Sequence, residues 1–145
     1  MENTGYWFGL LGSLEVRRDG EAVPLSRSKL RVLLVTLLLE AGRAVPFDRI
    51  VERLWGDDPP ASARSTVHVY AARLRRILGD GLIQTRPNGY QLDAEPGQID
   101  VLVFEELLDR ARRAAGDPVG ESALLTQALA LWRGPALQDV PSDSL

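Results

Sequence analysis

Ser65-Thr66-Val67-His68-Val69-Tyr70-Ala71-Ala72-Arg73-Leu74-Arg75-Arg76-Ile77-Leu78 lies inside a helix expected over residues 61–78, and it decides the reading of the fold. At about 100° per residue, Ala63, Val67, Tyr70, Ala71, Leu74, Ile77 and Leu78 fall on one apolar face. The opposite face carries Ser62, Ser65, Val69, Ala72, Arg73 and Arg76, with Thr66 at its edge, while Arg64, His68 and Arg75 occupy the flank. A solvated helix face ordinarily mixes Glu with Lys or Arg, because such pairs support each other at i,i+4. Here there is no carboxylate, and small residues, hydroxyls and arginines together point to an anionic partner.

Downstream, Gly79-Asp80-Gly81 ends the helix. Two strand-like runs, Leu82-Ile83-Gln84-Thr85 and Tyr90-Gln91-Leu92, then flank Arg86-Pro87-Asn88-Gly89. Asn-Gly tolerates positive φ, so residues 82–92 are predicted to form a β-hairpin with Arg86 at its tip. Upstream, Leu30, Leu33, Leu34, Leu37 and Leu38 repeat at helical spacing, predicting a helix from an N-cap at Ser26 to about Glu40, stopped by Gly42. A shorter helix starts near Asp48, carries Ile50, Val51, Leu54 and Trp55, and is broken by Gly56-Asp57-Asp58-Pro59-Pro60. Before these, Tyr6-Trp7-Phe8-Gly9-Leu10-Leu11 and Leu14-Glu15-Val16-Arg17 read as strands. Asp19-Gly20 turns the chain into Glu21-Ala22-Val23, and Pro24, with no N–H to donate, closes the ladder.

The 145 residues carry 17 basic and 20 acidic side chains, a formal charge of −3. That total hides an uneven distribution. Residues 1–60 hold eight basic against nine acidic side chains, residues 61–92 five against one, and residues 93–145 four against ten. A basic middle between neutral and acidic flanks is an electrostatic footprint for an anionic ligand.

Several classes are excluded. With 45% hydrophobic and 26% charged residues the composition is globular. The absence of Cys removes disulfides, thiolate nucleophiles and Cys-based zinc sites, and a single His leaves no metal-ligating set. There is no GxxxxGK or GxGxxG phosphate loop and no G-x-S-x-G elbow. Glu105-Glu106 and Asp57-Asp58 are neighbours that diverge on a helix and make no acid–base dyad. Neither a signal peptide nor an apolar run long enough for a membrane span is present. A cytoplasmic protein that is not an enzyme and needs no cofactor is expected.

After a linker, Ala94-Glu95-Pro96-Gly97, two amphipathic helices are predicted over residues 100–115 and 121–132. Their apolar positions are Val101, Phe104, Leu107, Leu108 and Ala111, then Leu124, Leu125, Ala128, Leu129 and Trp132. Trp132 reads as a core anchor, and Arg110, Arg112 and Arg113 as a solvated face. Two such helices cannot bury both faces alone, so the region reads as the start of a helical-hairpin array, truncated at residue 145.

Strands, three helices with a basic, acid-free third, and a hairpin tipped by arginine describe a winged helix-turn-helix of the α+β class. The third helix suits the major groove, and Arg86 the narrower minor groove. At these residues a resemblance becomes specific. Residues 65–78 with Asn88-Gly89-Tyr90-Gln91-Leu92 resemble the recognition helix and wing of OmpR-type domains. Phe8-Gly9-Leu10-Leu11-Gly12, Leu54-Trp55-Gly56-Asp57-Asp58-Pro59-Pro60, Phe104-Glu105-Glu106-Leu107 and Ala128-Leu129-Ala130-Leu131-Trp132-Arg133-Gly134-Pro135-Ala136-Leu137 narrow the likeness. They are similar to the Streptomyces antibiotic regulatory protein (SARP) family.

That resemblance implies an OmpR-type winged helix over residues 1–93, with an N-terminal antiparallel sheet and a C-terminal wing. It implies the first part of an all-α, tetratricopeptide-like bacterial transcriptional activator domain over residues 98–145. It further implies binding to direct repeats in double-stranded DNA as a head-to-tail homodimer that recruits RNA polymerase to secondary-metabolite genes. Arg73 matches the base-contacting arginine, and Thr66, Val69 and Tyr70 match positions that touch phosphates or thymine methyls. Trp55 matches an indole that donates to phosphate, and Arg86 the wing arginine. Arg64, Ser65, His68, Arg75, Arg76, Asn88 and Tyr90 complete the expected DNA-binding set. One departure is that the OmpR pattern often has His where this chain has Tyr70, with His68 two residues earlier. The rival reading is an interaction module whose basic helix binds an acidic protein partner.

Overall fold

The computed structural model of the chain describes residues 5–142, so the outermost residues of the two expected units, 1–4 and 143–145, lie outside the described residues. The fold is α+β. It opens with a three-stranded antiparallel sheet in the order β1 (Tyr6–Gly9), β2 (Glu15–Arg18) and β3 (Glu21–Ala22). Phe8 opposes Val16, and Asp19 and Gly20, with φ of 54° and 84°, make the mirror-image turn that suits a twisted hairpin.

Helix α1 (Ser28–Leu38) follows, and its Leu30, Val32, Leu33, Leu34, Val35, Leu37 and Leu38 are all buried. A helix apolar on nearly every side belongs in the middle of a core. The hydroxyl of Thr36, buried among them, donates to the Val32 carbonyl at 2.8 Å, which removes its desolvation penalty. The expected N-cap at Ser26 is displaced: the cap position is Arg27, and no side chain caps the helix. Arg27 is extended, and just before it Leu25 is buried, with its carbonyl accepting from Arg31 Nε at 2.5 Å, which holds this stretch outside the helix.

Helix α2 (Phe47–Trp55) and helix α3 (Ala63–Leu78) pack on α1 and complete a three-helix core. Between α1 and α2 runs β4 (Ala44–Pro46), three residues that carry no alternation a sequence reading can recognise. It pairs with β6 (Gly89–Leu92), which pairs in turn with β5 (Ile83–Arg86), so the wing is a three-stranded sheet in the order β4-β6-β5. Its turn also differs from expectation. Pro87 and Asn88 form it, while Gly89 opposes Arg86 inside the ladder, and neither Asn88 nor Gly89 takes positive φ. Gly89 is required for close approach: a Cβ there would lie 1.8 Å from the Val45 carbonyl oxygen.

The expected linker is ordered. Residues 96–98 form a 3-10 turn closed by a reciprocal capping box between Glu95 and Gln98, and Ile99 forms a parallel bridge to Phe8. Helix α4 (Asp100–Arg113) and helix α5 (Pro118–Ala130) then make an antiparallel hairpin. The second begins three residues before its expected start, at a proline suited to the first helical position. Trp132 is not a core anchor. It is 40% exposed, with its ring edge on Phe104, and Val119, Leu125 and Leu129 are exposed as well, because among the described residues no third helix covers α5.

Two carboxylates, one opening α4 and one in the segment after α5, tie the C-terminal part to the connection between β1 and β2. Asp100 is 2% exposed and accepts the N–H groups of Leu10 and Leu11 at 2.7 and 2.9 Å. Asp139 accepts the Leu14 N–H at 2.8 Å and pairs with Arg31 at 2.6 Å. Burial alone would raise the Asp139 carboxyl, but the Leu14 amide and the Arg31 guanidinium outweigh it and hold the group below the usual aspartate range.

Asp100→Ala would leave two buried amides without acceptors, and we expect a loss of about 2–4 kcal/mol in urea unfolding. A midpoint equal to wild type would show that these amides find other partners. Because Asp139 is depressed in the fold, its contribution is present above the ordinary aspartate pKa and is lost as pH falls through the lower folded value. Asp139→Asn should therefore flatten the acid limb of a stability–pH profile, and an unchanged limb would refute that role.

Candidate nucleic-acid interface

Helix α3 spends its apolar side on the core. Ala63, Val67, Ala71, Leu74 and Leu78 are buried there. Two residues assigned by periodicity to that side are set differently. Tyr70 is only half-buried, stacked on the indole of Trp55 with centroids 6.3 Å apart, and Ile77 is 39% exposed at the rim of a cleft. That cleft, of about 300 Å³, lies between the residues preceding α1 and the C-terminal half of α3, and Arg27, Leu30, Arg73 and Arg76 line it with Ile77.

The outward face presents Ser62, Ser65, Val69, Ala72 and Arg76, all exposed, with Thr66 and Arg73 half-exposed. Val69 is 48% exposed in the middle of this surface, where a lone solvated helix would favour a polar residue. The hydroxyl of Ser65 donates to the Ser62 carbonyl at 3.0 Å, and those of Ser62 and Thr66 lie 3.4 Å apart. The first turn is thus lined with short hydroxyls that leave the helix free to approach a surface closely. Among the described residues every ion pair falls outside residues 61–92, so Arg73 and Arg76 have no carboxylate partner there.

Arg75 is arranged otherwise. Its Nε donates to the Ile83 carbonyl at 3.0 Å and its Nη2 to the Thr85 hydroxyl at 2.7 Å, while the guanidinium lies 5.5 Å from the centroid of the Tyr90 ring. This side chain fixes the wing to α3. Tyr90 is also internal: its ring is 2% exposed and its hydroxyl is hydrogen-bonded to Nδ1 of His68. Burial pushes the Tyr90 phenol up, against the opposing charge of Arg75, which keeps it protonated. The edges of His68 and Tyr90 meet Phe47, over whose face Arg64 sits at 4.4 Å. Of the expected contact residues, then, Arg75 and Tyr90 are turned inward as supports, whereas His68 and Arg64 are exposed on the flank beside the wing.

The remaining expected positions surround α3. Trp55 is half-buried at the end of α2, and its indole N–H has no hydrogen-bond partner among the described residues. Lys29 sits over that ring, 5.7 Å from the centroid, and donates to the Leu54 carbonyl. Arg86 ends β5, with Nε on Gln91 Oε1 at 3.1 Å and Nη1 on the Thr85 carbonyl at 3.2 Å, and Asn88 is exposed at the turn. Sequence reading misses Arg27 and Lys29, because both precede or open a helix judged only by its leucines. Their basic character and their place just before the leucine stripe are the signal that was available.

Residues 20–92 match the family described as "Transcriptional regulatory protein, C terminal", and residues 99–145 match "Bacterial transcriptional activator domain". The regulatory protein AfsR of Streptomyces coelicolor is 36% identical over 137 residues, which is 92% of this chain and 14% of that protein. The regulatory protein DnrI of Streptomyces peucetius is 37% identical over 144 residues, 90% of this chain and 53% of that protein. Among solved structures, Mycobacterium tuberculosis EmbR in complex with a low affinity phosphopeptide aligns with a TM-score of 0.88 and 33% identity, covering 94% of this chain and 38% of that one. The chain therefore spans less than two thirds of the length of each of these relatives.

If Arg75 fastens the wing, Arg75→Ala should speed amide hydrogen exchange in β5 and β6 by at least tenfold while α1 stays protected. Equal protection of the wing in the variant would show that β4 alone holds it.

Proposed function

Because the chain belongs to the Streptomyces antibiotic regulatory protein family of transcriptional regulators, we propose that it is a sequence-specific DNA-binding activator that reads the major groove with α3. The observation that carries this reading is the acid-free face of α3, where Arg73 and Arg76 have no carboxylate partner among the described residues, whereas Arg17, Arg31, Arg49, Arg112 and Arg113 elsewhere are each matched to one. An arginine with an unused guanidinium fork suits guanine edges or phosphate oxygens. Exposed Val69 suits a thymine methyl, and the hydroxyls of Ser65 and Thr66 suit phosphates at the start of the helix.

In this reading Arg86, pre-set by Gln91 and Thr85, extends toward the minor groove with Asn88 beside it. Trp55 and Arg64 bracket the recognition helix as backbone contacts, and Arg75 and Tyr90 act through the geometry they impose. We further propose that residues 1–93 are the DNA-binding unit and residues 98–145 the protein-facing one. The acidic excess of the latter would keep it away from DNA. Direct-repeat sites, a homodimer on them, recruitment of RNA polymerase and control of secondary-metabolite genes belong to the same proposal. So does a cytoplasmic location; no helix among the described residues is long and apolar enough to cross a membrane.

A gel-shift titration against a promoter duplex tests it. Arg73→Ala should cost about 1–3 kcal/mol of binding free energy and relax sequence discrimination, whereas Arg86→Ala should weaken binding with less loss of discrimination. The logarithm of affinity should fall with the logarithm of salt by about 0.9 per phosphate neutralised. Undiminished affinity and discrimination in the Arg73 variant would reject α3 as the reading helix. A shallow salt slope together with capture of an acidic protein would favour the interaction-module alternative.

A further inference from the structure

His68, exposed on the flank of α3, is hydrogen-bonded to the Tyr90 that supports the wing. The phenol of Tyr90 is buried, so its proton needs an acceptor inside the protein. Among the described residues its one hydrogen-bond partner is His68 Nδ1. The charged neighbour over its ring, Arg75, carries only donors and cannot take the proton. The other ring against it, Phe47, meets it edge to face and offers no lone pair. A donor count therefore has one solution that leaves nothing unsatisfied: the phenol donates to Nδ1. The proton of a neutral imidazole then resides on Nε2, which has no partner among the described residues on a side chain exposed at the flank of α3.

We propose that Tyr90 is a positioning residue for DNA recognition: it fixes His68 as the Nε2–H tautomer, so that the imidazole presents a hydrogen-bond donor to an acceptor on the duplex. The inference rests on the DNA-binding reading and adds to it the identity of the group that is offered. Phosphate oxygens, guanine O6 and N7, adenine N7 and thymine O4 all accept such a donor, whereas the amino groups of adenine and cytosine do not. The edge contacts of Phe47 with both rings limit how far the imidazole can swing, so orientation and tautomer are set together.

The test uses the whole chain and a duplex that the chain itself selects from a random-sequence pool. In the free protein at pH 8, where imidazole is ordinarily neutral, nitrogen NMR of His68 should show the proton on Nε2 and Nδ1 shifted as a hydrogen-bonded acceptor. Tyr90→Phe, which keeps the ring between Phe47 and Arg75, should move the Nδ1 resonance to that of an unbonded nitrogen. Tyr90→Phe and His68→Ala should each weaken binding of the selected duplex about five- to tenfold. The double variant should bind no more weakly than His68→Ala alone, because Tyr90 acts only through the imidazole. A proton found on Nδ1, wild-type affinity in Tyr90→Phe, or additive losses in the double variant would each overturn the proposal. His68→Ala leaves the buried phenol without its acceptor, whereas the double variant removes phenol and imidazole together and leaves no hydroxyl unpaired, so it keeps the test valid where a single variant fails to fold; wild-type affinity in the double variant would also overturn the proposal. Failure of the wild-type chain to select any duplex would instead reject the DNA-binding reading, and with it the acceptor assigned to His68.

Discussion

The burial of α1 on nearly all its faces is the constraint on which the rest of the structure depends. Seven apolar side chains between Leu30 and Leu38 have to be covered at once, and one neighbouring helix covers only a stripe. Helix α2, helix α3 and strand β6 supply the coverage from different directions, with the first sheet closing the remainder. Once α3 is recruited by Val67, Ala71, Leu74 and Leu78, its other side has nowhere to go but outward. The exposed basic face of α3 is in this sense a consequence of core packing. Its orientation is fixed by leucines and valines, and its chemistry is left open to serines, arginines and one exposed valine.

Much of this was legible in the sequence, because helical periodicity and turn chemistry are local. The leucine stripe, the basic third helix and the Asp19-Gly20 turn each carry their signal within a few residues. What escaped depends on distant partners. Strand β4 exists because Val45 opposes Tyr90 across 44 residues of intervening chain. Gly89 looked like a turn residue because Asn-Gly usually is one, yet its lack of a side chain serves the approach of Val45. Ile77 sits at an apolar angle on the wheel, yet it lines a cleft beside the residues preceding α1 and stays 39% exposed. Trp132 has the composition of an anchor and lacks an adjoining layer among the described residues. The basic face is legible in the sequence as a set of residue types, but its division into outward and inward arginines is not, since that depends on where the wing lands.

The C-terminal hairpin is bound to the first sheet by backbone groups more than by surface contact. Asp100 and Asp139 accept three amides of residues 10–14, and Arg133 and Leu137 donate their own amides to Leu11 and Leu10 at 2.8 and 3.0 Å. Hydrogen bonds to a charged acceptor with little solvent access are worth more than neutral ones. They also impose direction, which apolar contact alone does not. Arg31 extends the connection into α1 itself, since it holds Asp139 with one nitrogen and the Leu25 carbonyl with another. The acidic C-terminal part of the chain and the basic helix α3 thus share α1 as a common neighbour.

Three arginines within four residues of α3 illustrate how position divides identical chemistry. Arg73 and Arg76 lie on the side away from the wing and keep their full donor sets. Arg75, about 100° round the helix from Arg76 and about 160° from Arg73, meets the wing and spends two nitrogens on Ile83 and Thr85. A lysine there could supply charge but not two divergent hydrogen bonds with a flat face laid over Tyr90. The wing is held by planar geometry, and the outward face keeps its unspent donors. Neither job can be transferred to the other side chain without turning the helix, and the buried face of α3 prevents that turn.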